Sequence, residues 1–367
     1  MSEESKNKID QKRREFIKGL ATVPVFGFFL ANLWAKLKRD SLKKKNLLTD
    51  LVKEKDAPAI ISKITDSKHL NIGIIGYGGR GAHLVRSAGF ATKGWTDWAY
   101  NSAKENKLHK AYATFMGQED LNCSLVGVCD LFDNHADLAI DASKNDARPG
   151  GKPSKSAVRY KHYTEMLSRD DIDAVIVATP DHWHSRITID AANAGKHVYC
   201  EKGLTRTFQE AVDVYDTIKE TGMILQLGHQ NRQVEANDKA KQIIDQGLLG
   251  PVNLVELTTN RNSPWGAWVW NIHEDANKKT IDWDTFQEPC SNKIPFGEEA
   301  LKRFFRWRCW YDYGTGLSGD LFSHDYDQLN QIMGMGIPKY ASSSGGIYFY
   351  KDGRDVPDVW HATLEYP

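Results

Sequence analysis

Asp320 and His324 stand four residues apart in the stretch Gly316-Leu317-Ser318-Gly319-Asp320-Leu321-Phe322-Ser323-His324. At that spacing two side chains share one face of a helix, so a carboxylate can orient an imidazole. Taking a proton from an alcohol requires a base with a pKa near the working pH, within hydrogen-bond reach of the hydroxyl. His324 suits that role, Asp320 would fix it or a neighbouring hydroxyl, and Lys202 would polarise the reacting oxygen. Lys202 and His324 could also exchange roles. The plain structural alternative is that Asp320 caps the helix and His324 is a satisfied buried histidine. Upstream, Trp265, Trp268, Trp270, Trp283, Trp307 and Trp310 alternate with Asn260, Arg261, Asn262, His273 and Arg308. Flat rings beside hydrogen-bonding groups suit the faces and hydroxyls of sugars, and equally an aromatic core or interface. His182, His184, His273 and His324 raise the question of a metal, but no dense ligand spacing supports one and none is expected.

These residues need a scaffold, and the first half of the chain supplies its signature. Leu70–Ile75 reads as a short buried strand, and Gly76-Tyr77-Gly78-Gly79-Arg80-Gly81 leads straight from it into a helix. In that setting Gly76 permits a tight turn and Gly78 lets the backbone approach a pyrophosphate, while Gly81 allows the helix to sit close to the strand. A second strand, Ser124–Cys129, ends in Asp130, placed to bond ribose hydroxyls and to repel a 2′-phosphate, so NAD is expected over NADP. Asp130 lies well beyond the usual interval of roughly 20 residues after the glycines. Residues 90–122 therefore read as an insertion, either overhanging the site or forming a surface hairpin.

Further strands follow at Ala174–Ala178, His197–Cys200 and Met223–Leu227, separated by helical stretches. Alternating strands and helices predict an α/β fold with a doubly wound parallel sheet. Ligands in such sheets bind beyond the strand carboxyl ends. There fall Thr179, Pro180, Asp181, His182, Trp183, His184, Glu201, Lys202 and Asn231, all read as cofactor-side residues.

A chain of 367 residues suggests two domains meeting at a cleft. Residues 1–56 hold 14 Lys/Arg against 8 Asp/Glu, leaving 34 against 40 for the remainder. A mildly acidic body argues against a nucleic-acid partner. Cys123, Cys129, Cys200, Cys290 and Cys309 show no C-x-x-C spacing, so neither a disulfide framework nor a zinc site is indicated. At the N-terminus, Lys12-Arg13-Arg14-Glu15-Phe16-Ile17-Lys18 precedes the uncharged, mostly apolar run Gly19–Ala35. This resembles a twin-arginine export signal, which predicts a periplasmic protein. No clean cleavage site follows, so an uncleaved anchor in the inner membrane is the alternative, and a basic surface helix the bland one.

Taken together, the glycine loop, Ala178-Thr179-Pro180-x-x-x-His184, Ala194-Gly195-Lys196-His197-Val198-x-x-Glu201-Lys202 and Gly228-x-x-x-Arg232 resemble the Gfo/Idh/MocA oxidoreductases. The resemblance runs over roughly residues 70–367. It implies an NAD-binding Rossmann domain at 70–232, after a signal or anchor at 1–35 and a linker at 36–69. It also implies an α+β substrate and oligomerisation domain at 233–367 with an open, mainly antiparallel sheet. Val252–Thr259, Ile347–Tyr350 and Trp360–Glu365 read as strands of that sheet. The implied activity is NAD-dependent oxidation of a sugar, sugar derivative or glycoside in a homo-oligomer, with Lys202, Asp320 and His324 facing the nicotinamide. An NAD-dependent glycosidase and a non-catalytic sugar sensor are the alternatives. Two departures stand out: Glu201-Lys202-Gly203 replaces the family's Glu-Lys-Pro, and the chain stops at Tyr366-Pro367 within a strand-like run, as a shortened product would.

Overall fold

The computed structural model describes residues 69–144, 155–260 and 267–367. The twin-arginine stretch, the apolar run Gly19–Ala35, the linker and Arg261, Asn262 and Trp265 lie outside the described residues.

The first strand, β1 (Leu70–Ile75), is apolar and buried from Ile72 onward. Its side chains alternate between two cores, with Ile74 in one and Ile75 in the other. A strand apolar on both sides needs cover on both faces, which is what helices of a parallel sheet provide. After the glycine turn come α1 (Gly79–Ser87), α2 (Lys93–Glu105), α3 (Ala111–Met116) and then β2 (Cys123–Cys129). The pattern continues through α4 (Asp133–Ser143), β3 (Val158–Tyr160), α5 (Tyr163–Leu167) and β4 (Ala174–Val177). It closes with α6 (His184–Asn193), β5 (His197–Glu201), α7 (Phe208–Thr221) and β6 (Leu225–Gly228). All neighbouring strands pair in parallel in the order β3-β2-β1-β4-β5-β6. The order reverses direction beside β1, and the crevice above that reversal is where such sheets bind dinucleotides.

The segment between α1 and β2 is a pair of helices, not a hairpin of strands. Thr92 starts α2 by accepting the Trp95 amide on its hydroxyl, and Thr96 and Ala99 are buried at helical spacing. Trp95 packs edge-on to Phe115 of α3 and under the guanidinium of Arg86.

Beyond β6 the chain forms α8 (Glu235–Asp245), the short α9 (Trp283–Phe286), α10 (Glu298–Phe305) and α11 (Ser323–Met333). The strands β7 (Tyr340–Gly346) and β8 (Val359–Glu365) pair antiparallel from Tyr340↔Glu365 to Gly346↔Val359. The expected strand at Trp360–Glu365 is therefore present. Val252–Thr259 forms no strand, because no neighbouring backbone completes its ladder among the described residues, and Ile347–Tyr350 lies in the turn after β7.

A third core joins the two halves. Fully buried Phe132, which follows β2, packs with Trp268, Ile281, Trp283, Phe286, Trp310 and Tyr313. The backbone repeats the union, since Asp282 N donates to Leu131 O and Asp133 N to Thr280 O. Thr65–Pro367 forms one compact unit. The five cysteines are free thiols, and among the described residues no helix is long and apolar enough to cross a membrane.

Candidate active site

A cavity of about 720 Å³ opens above the carboxyl ends of β1, β2, β4 and β5. Its volume falls in the range typical of small-molecule and cofactor sites. At one end lies the glycine turn. A Cβ on Gly81 would come within 2.1 Å of the Gly76 carbonyl oxygen, so only glycine lets α1 approach β1 this closely. Gly78 caps α1 with no side chain covering its first amides, and Gly79 has open space beside it. Free amides at a helix start are a ready anion site. Tyr77 turns its ring into the core and contributes only its amide, which donates to Asp130 Oδ2 at 2.6 Å.

Asp130 closes that end. Its other oxygen accepts from Phe132 N at 2.8 Å, and the His135 ring stands 3.6 Å away. A carboxylate offers about four acceptor positions, so two backbone donors leave room for ribose hydroxyls. His135 was not foreseen; the carboxylate holds its imidazole above the ordinary value against the opposing effect of burial.

Thr179, Pro180, Asp181, Trp183 and His184 line the middle of the cavity. The Thr179 hydroxyl is buried with no protein partner. Asp181 is buried and accepts from the Thr315 amide at 3.0 Å and hydroxyl at 2.6 Å. His184 uses both ring nitrogens on backbone carbonyls, those of Thr179 at 2.8 Å and Gly203 at 3.0 Å. His182 is a correction to the cofactor-side set: its ring turns out of the cavity to the Phe286 carbonyl at 2.7 Å, which Trp183 Nε1 shares at 3.1 Å. Burial pushes its pKa down to about 3, so it serves as a neutral packing residue. Asn231 is also absent from the cavity wall; its carbonyl accepts from the Asn237 side chain.

At the far end, β5 delivers Glu201 and Lys202. Glu201 is buried and binds Arg80 Nε at 2.7 Å, the Tyr199 hydroxyl at 3.1 Å and Gln230 Nε2 at 2.8 Å. Sequence placed Arg80 and Glu201 near the cofactor but gave no sign that they pair across 121 positions. Lys202 makes a close ion pair with Asp320. Gly203 has φ +67°, and a Cβ there would stand 2.6 Å from the Asp181 carboxyl carbon. Proline cannot adopt that φ. The altered Glu-Lys-Gly turn is thus built around glycine, and its carbonyl is held by His184.

Asp320 sits in a short π-helical segment, Ser318–Phe322, that runs into α11. Such bulges concentrate at functional sites. Arg308 Nε also donates to Asp320 Oδ1, at 2.8 Å. Burial alone would raise this carboxyl, but Arg308 and Lys202 outweigh it and hold the pKa at about 2. His324 lines the same cavity, with Nδ1 buried and unpartnered. Burial first, and then the Lys202 charge, hold its imidazole below the ordinary value, so it is neutral and able to accept a proton near neutrality. The three expected catalytic residues therefore converge.

The tryptophans divide between the two readings. Trp268, Trp270 and Trp307 line the cavity, Trp268 belonging to the third core as well, whereas Trp283 and Trp310 are buried in that core away from the cavity wall. His273 stacks edge-on to Phe132 and stays out of the cavity wall. Among the described residues no group of His, Cys, Asp and Glu is arranged to hold a metal. Open amides, the Asp130 carboxylate and the orphaned Thr179 hydroxyl along one elongated cavity fit a dinucleotide.

Residues 70–229 match the model of the oxidoreductase family with an NAD-binding Rossmann fold. Over this stretch the chain is similar to the Gfo/Idh/MocA family. Levoglucosan dehydrogenase of Pseudarthrobacter phenanthrenivorans is 37% identical over 184 residues, 50% of this chain and 41% of that protein. Alpha-N-acetylgalactosaminidase of Shewanella oneidensis is 30% identical over 162 residues, 44% of this chain and 34% of that protein. The chain thus spans less than half the length of these curated relatives. The yvaA structure of Bacillus subtilis superposes with a TM-score of 0.51 at 20% identity, covering 82% of this chain and 63% of that one. The matched stretch contains the glycine turn and the strands β1 to β6; the Arg80–Glu201 and Arg308–Asp320 pairs are observations of this chain.

Proposed function

We propose that this protein is an NAD-dependent oxidoreductase acting on a hydroxyl of a sugar, sugar derivative or glycoside. The observation that carries the reading is the convergence of Lys202, Asp320 and His324 in the same cavity that the glycine turn and Asp130 line. Bound NAD supplies the hydride-transfer chemistry. The chain's own residues do the rest. His324, neutral and with a free ring nitrogen, takes the hydroxyl proton. Lys202 donates a hydrogen bond to the same oxygen and stabilises the charge that gathers on it as the proton leaves. Asp320 holds Lys202 in place, and Trp268, Trp270 and Trp307 present flat faces to the sugar ring while excluding water.

The likeness to alpha-N-acetylgalactosaminidase favours a second reading, a redox-neutral glycosidase that oxidises its sugar transiently and restores it after the aglycone leaves. One assay separates these: a panel of free sugars and glycosides with a reporter aglycone, given NAD or NADP. NADH accumulation is the expected result, with NADP the poorer cofactor and Asp130→Ala narrowing the difference. Aglycone release without net NADH moves the protein to the glycosidase reading. NAD binding with no turnover of any sugar overturns both and leaves a sensor.

Arg13 and Arg14 support a further part of the reading, export through a receptor that recognises the arginine pair. Replacing both with Lys should retain the protein in the cytoplasm; unchanged fractionation would refute it. Parent protein in the membrane fraction would show that Gly19–Ala35 is kept as an anchor. Self-association, also implied by the family, would appear as concentration-dependent sedimentation.

A further inference from the structure

One wall of the cavity carries more positive charge than its neighbours balance. Arg308 Nε donates to Asp320 Oδ1, and the guanidinium lies over the Trp307 ring, 4.0 Å from its centroid. Both contacts fix the plane of the fork. Neither Nη nitrogen has a partner among the described residues, and the side chain lines the cavity while remaining 27% exposed. Asp320 is meanwhile shared with Lys202, so one carboxylate faces two cations. The other charged groups of the cavity have their own partners: Arg80 has Glu201, Asp130 has two backbone amides, and Asp181 has the Thr315 amide and hydroxyl, with burial favouring its neutral form over the pull of Lys202 and Arg308. The cavity lining holds a second idle donor, since Trp268 Nε1 is buried without an acceptor among the described residues, on a residue held at φ +67°. Strained backbone at non-glycine residues clusters at ligand-binding sites. A fixed fork, an orphaned indole N–H and one surplus positive charge call for an anionic acceptor.

We infer that this wall binds the carboxylate of an acidic sugar, a uronic acid or its glycoside, with the Arg308 fork as the specificity-determining contact. A guanidinium fork matches carboxylate geometry with two parallel bonds. The surplus is a single charge, which one carboxylate neutralises. A phosphoryl group would bring about 1.5 to 2 negative charges and leave the site overbalanced. This inference rests on the sugar-oxidoreductase reading, and it names the substrate class of that same site.

The test compares uronosides, matched neutral glycosides and sugar 6-phosphates with the NAD-loaded parent protein, Arg308→Met and Arg308→Lys. The parent should prefer the uronoside over its neutral counterpart by roughly 10- to 100-fold in kcat/KM, the scale of charge-assisted hydrogen bonds. Arg308→Met should erase that preference mainly through KM, and Arg308→Lys, which keeps the charge but not the fork, should restore only part of it. Parent preference for neutral sugars or phosphates overturns the inference while leaving the oxidoreductase reading intact. Equal loss of NAD affinity in Arg308→Met also overturns it, because Arg308 would then hold the cofactor. Should no sugar turn over, uronate binding to the NAD-loaded protein, read by the fluorescence of the cavity tryptophans, decides alone. Binding that Arg308→Met abolishes supports the inference even as the oxidoreductase reading fails, and no binding sinks both.

Discussion

Lys202→Met and His324→Ala should each lower turnover by roughly 10²–10⁴-fold, the usual cost of removing a positioned acid or base, while NAD binding stays near that of the parent and Lys202→Met loses less stability than Asp320→Asn, because Arg308 still pairs with Asp320. Neither Lys202 nor His324 is a packing residue of the three cores. Loss of a structural side chain would appear first as lost stability. The pH profile assigns the roles. A base works only when deprotonated, so kcat/KM rises with pH through the pKa of His324, which burial and Lys202 hold below 6.5. His324→Ala should remove that acidic limb, whereas Lys202→Met should shift it upward toward the ordinary imidazole value by deleting the nearby cation. If the limb instead survives in His324→Ala and disappears in Lys202→Met, the two roles are exchanged. Full activity in both variants would mean the chemistry lies elsewhere.

The parts of this architecture legible in the sequence are those governed by short-range rules. Gly76, Gly78 and Gly81 within six residues, the apolar run of β1 and Asp130 closing β2 each carry their reason locally, and together they mark a parallel α/β sheet and its cofactor end. Residues 90–122 misled because Trp95, Trp98 and Tyr100 favour strands by type, while their spacing and the Thr92 cap favour a helix. His182 misled for another reason: it belongs to the same short motif as His184, but a 3₁₀ turn at Asp181–Trp183 sends the two rings in different directions. Val252–Thr259 has a strand's alternation, yet alternation makes a strand only where a neighbouring backbone completes the ladder. Arg80 meets Glu201 because β1 and β5 flank β4 in the parallel sheet, whereas the Lys202–Asp320 pair joins segments that meet where the third core ties the two halves together. Nothing in the local composition of either segment announces the other. Phe132 and the aromatic residues from Trp268 to Tyr313 draw them together, and that convergence is visible only in three dimensions.

Asp320→Asn tests that convergence through stability as well as rate. Its carboxyl is depressed from 3.8 to about 2, so its contribution to stability is present above the unfolded value and is lost as pH falls through the folded one. A shift of that size corresponds to about 2 kcal/mol at neutral pH. Breaking a buried ion pair by removing one partner costs roughly 3–5 kcal/mol, and the partial exposure of Arg308 places this site at or below the lower end. Asn keeps the volume and one acceptor but leaves Lys202 and Arg308 facing each other without a counter-charge. The expected result at pH 7 is a denaturation midpoint lowered by the equivalent of about 2 kcal/mol. Between about pH 4 and pH 2 the difference should close, because the parent carboxyl becomes protonated there while the variant has nothing to titrate. Turnover should fall with it, since Lys202 loses the group that aims it. A stability difference that persists unchanged at pH 2 would show that Asp320 acts by packing rather than charge. A variant as stable as the parent at pH 7 would show that the two cations find other partners when their carboxylate is gone.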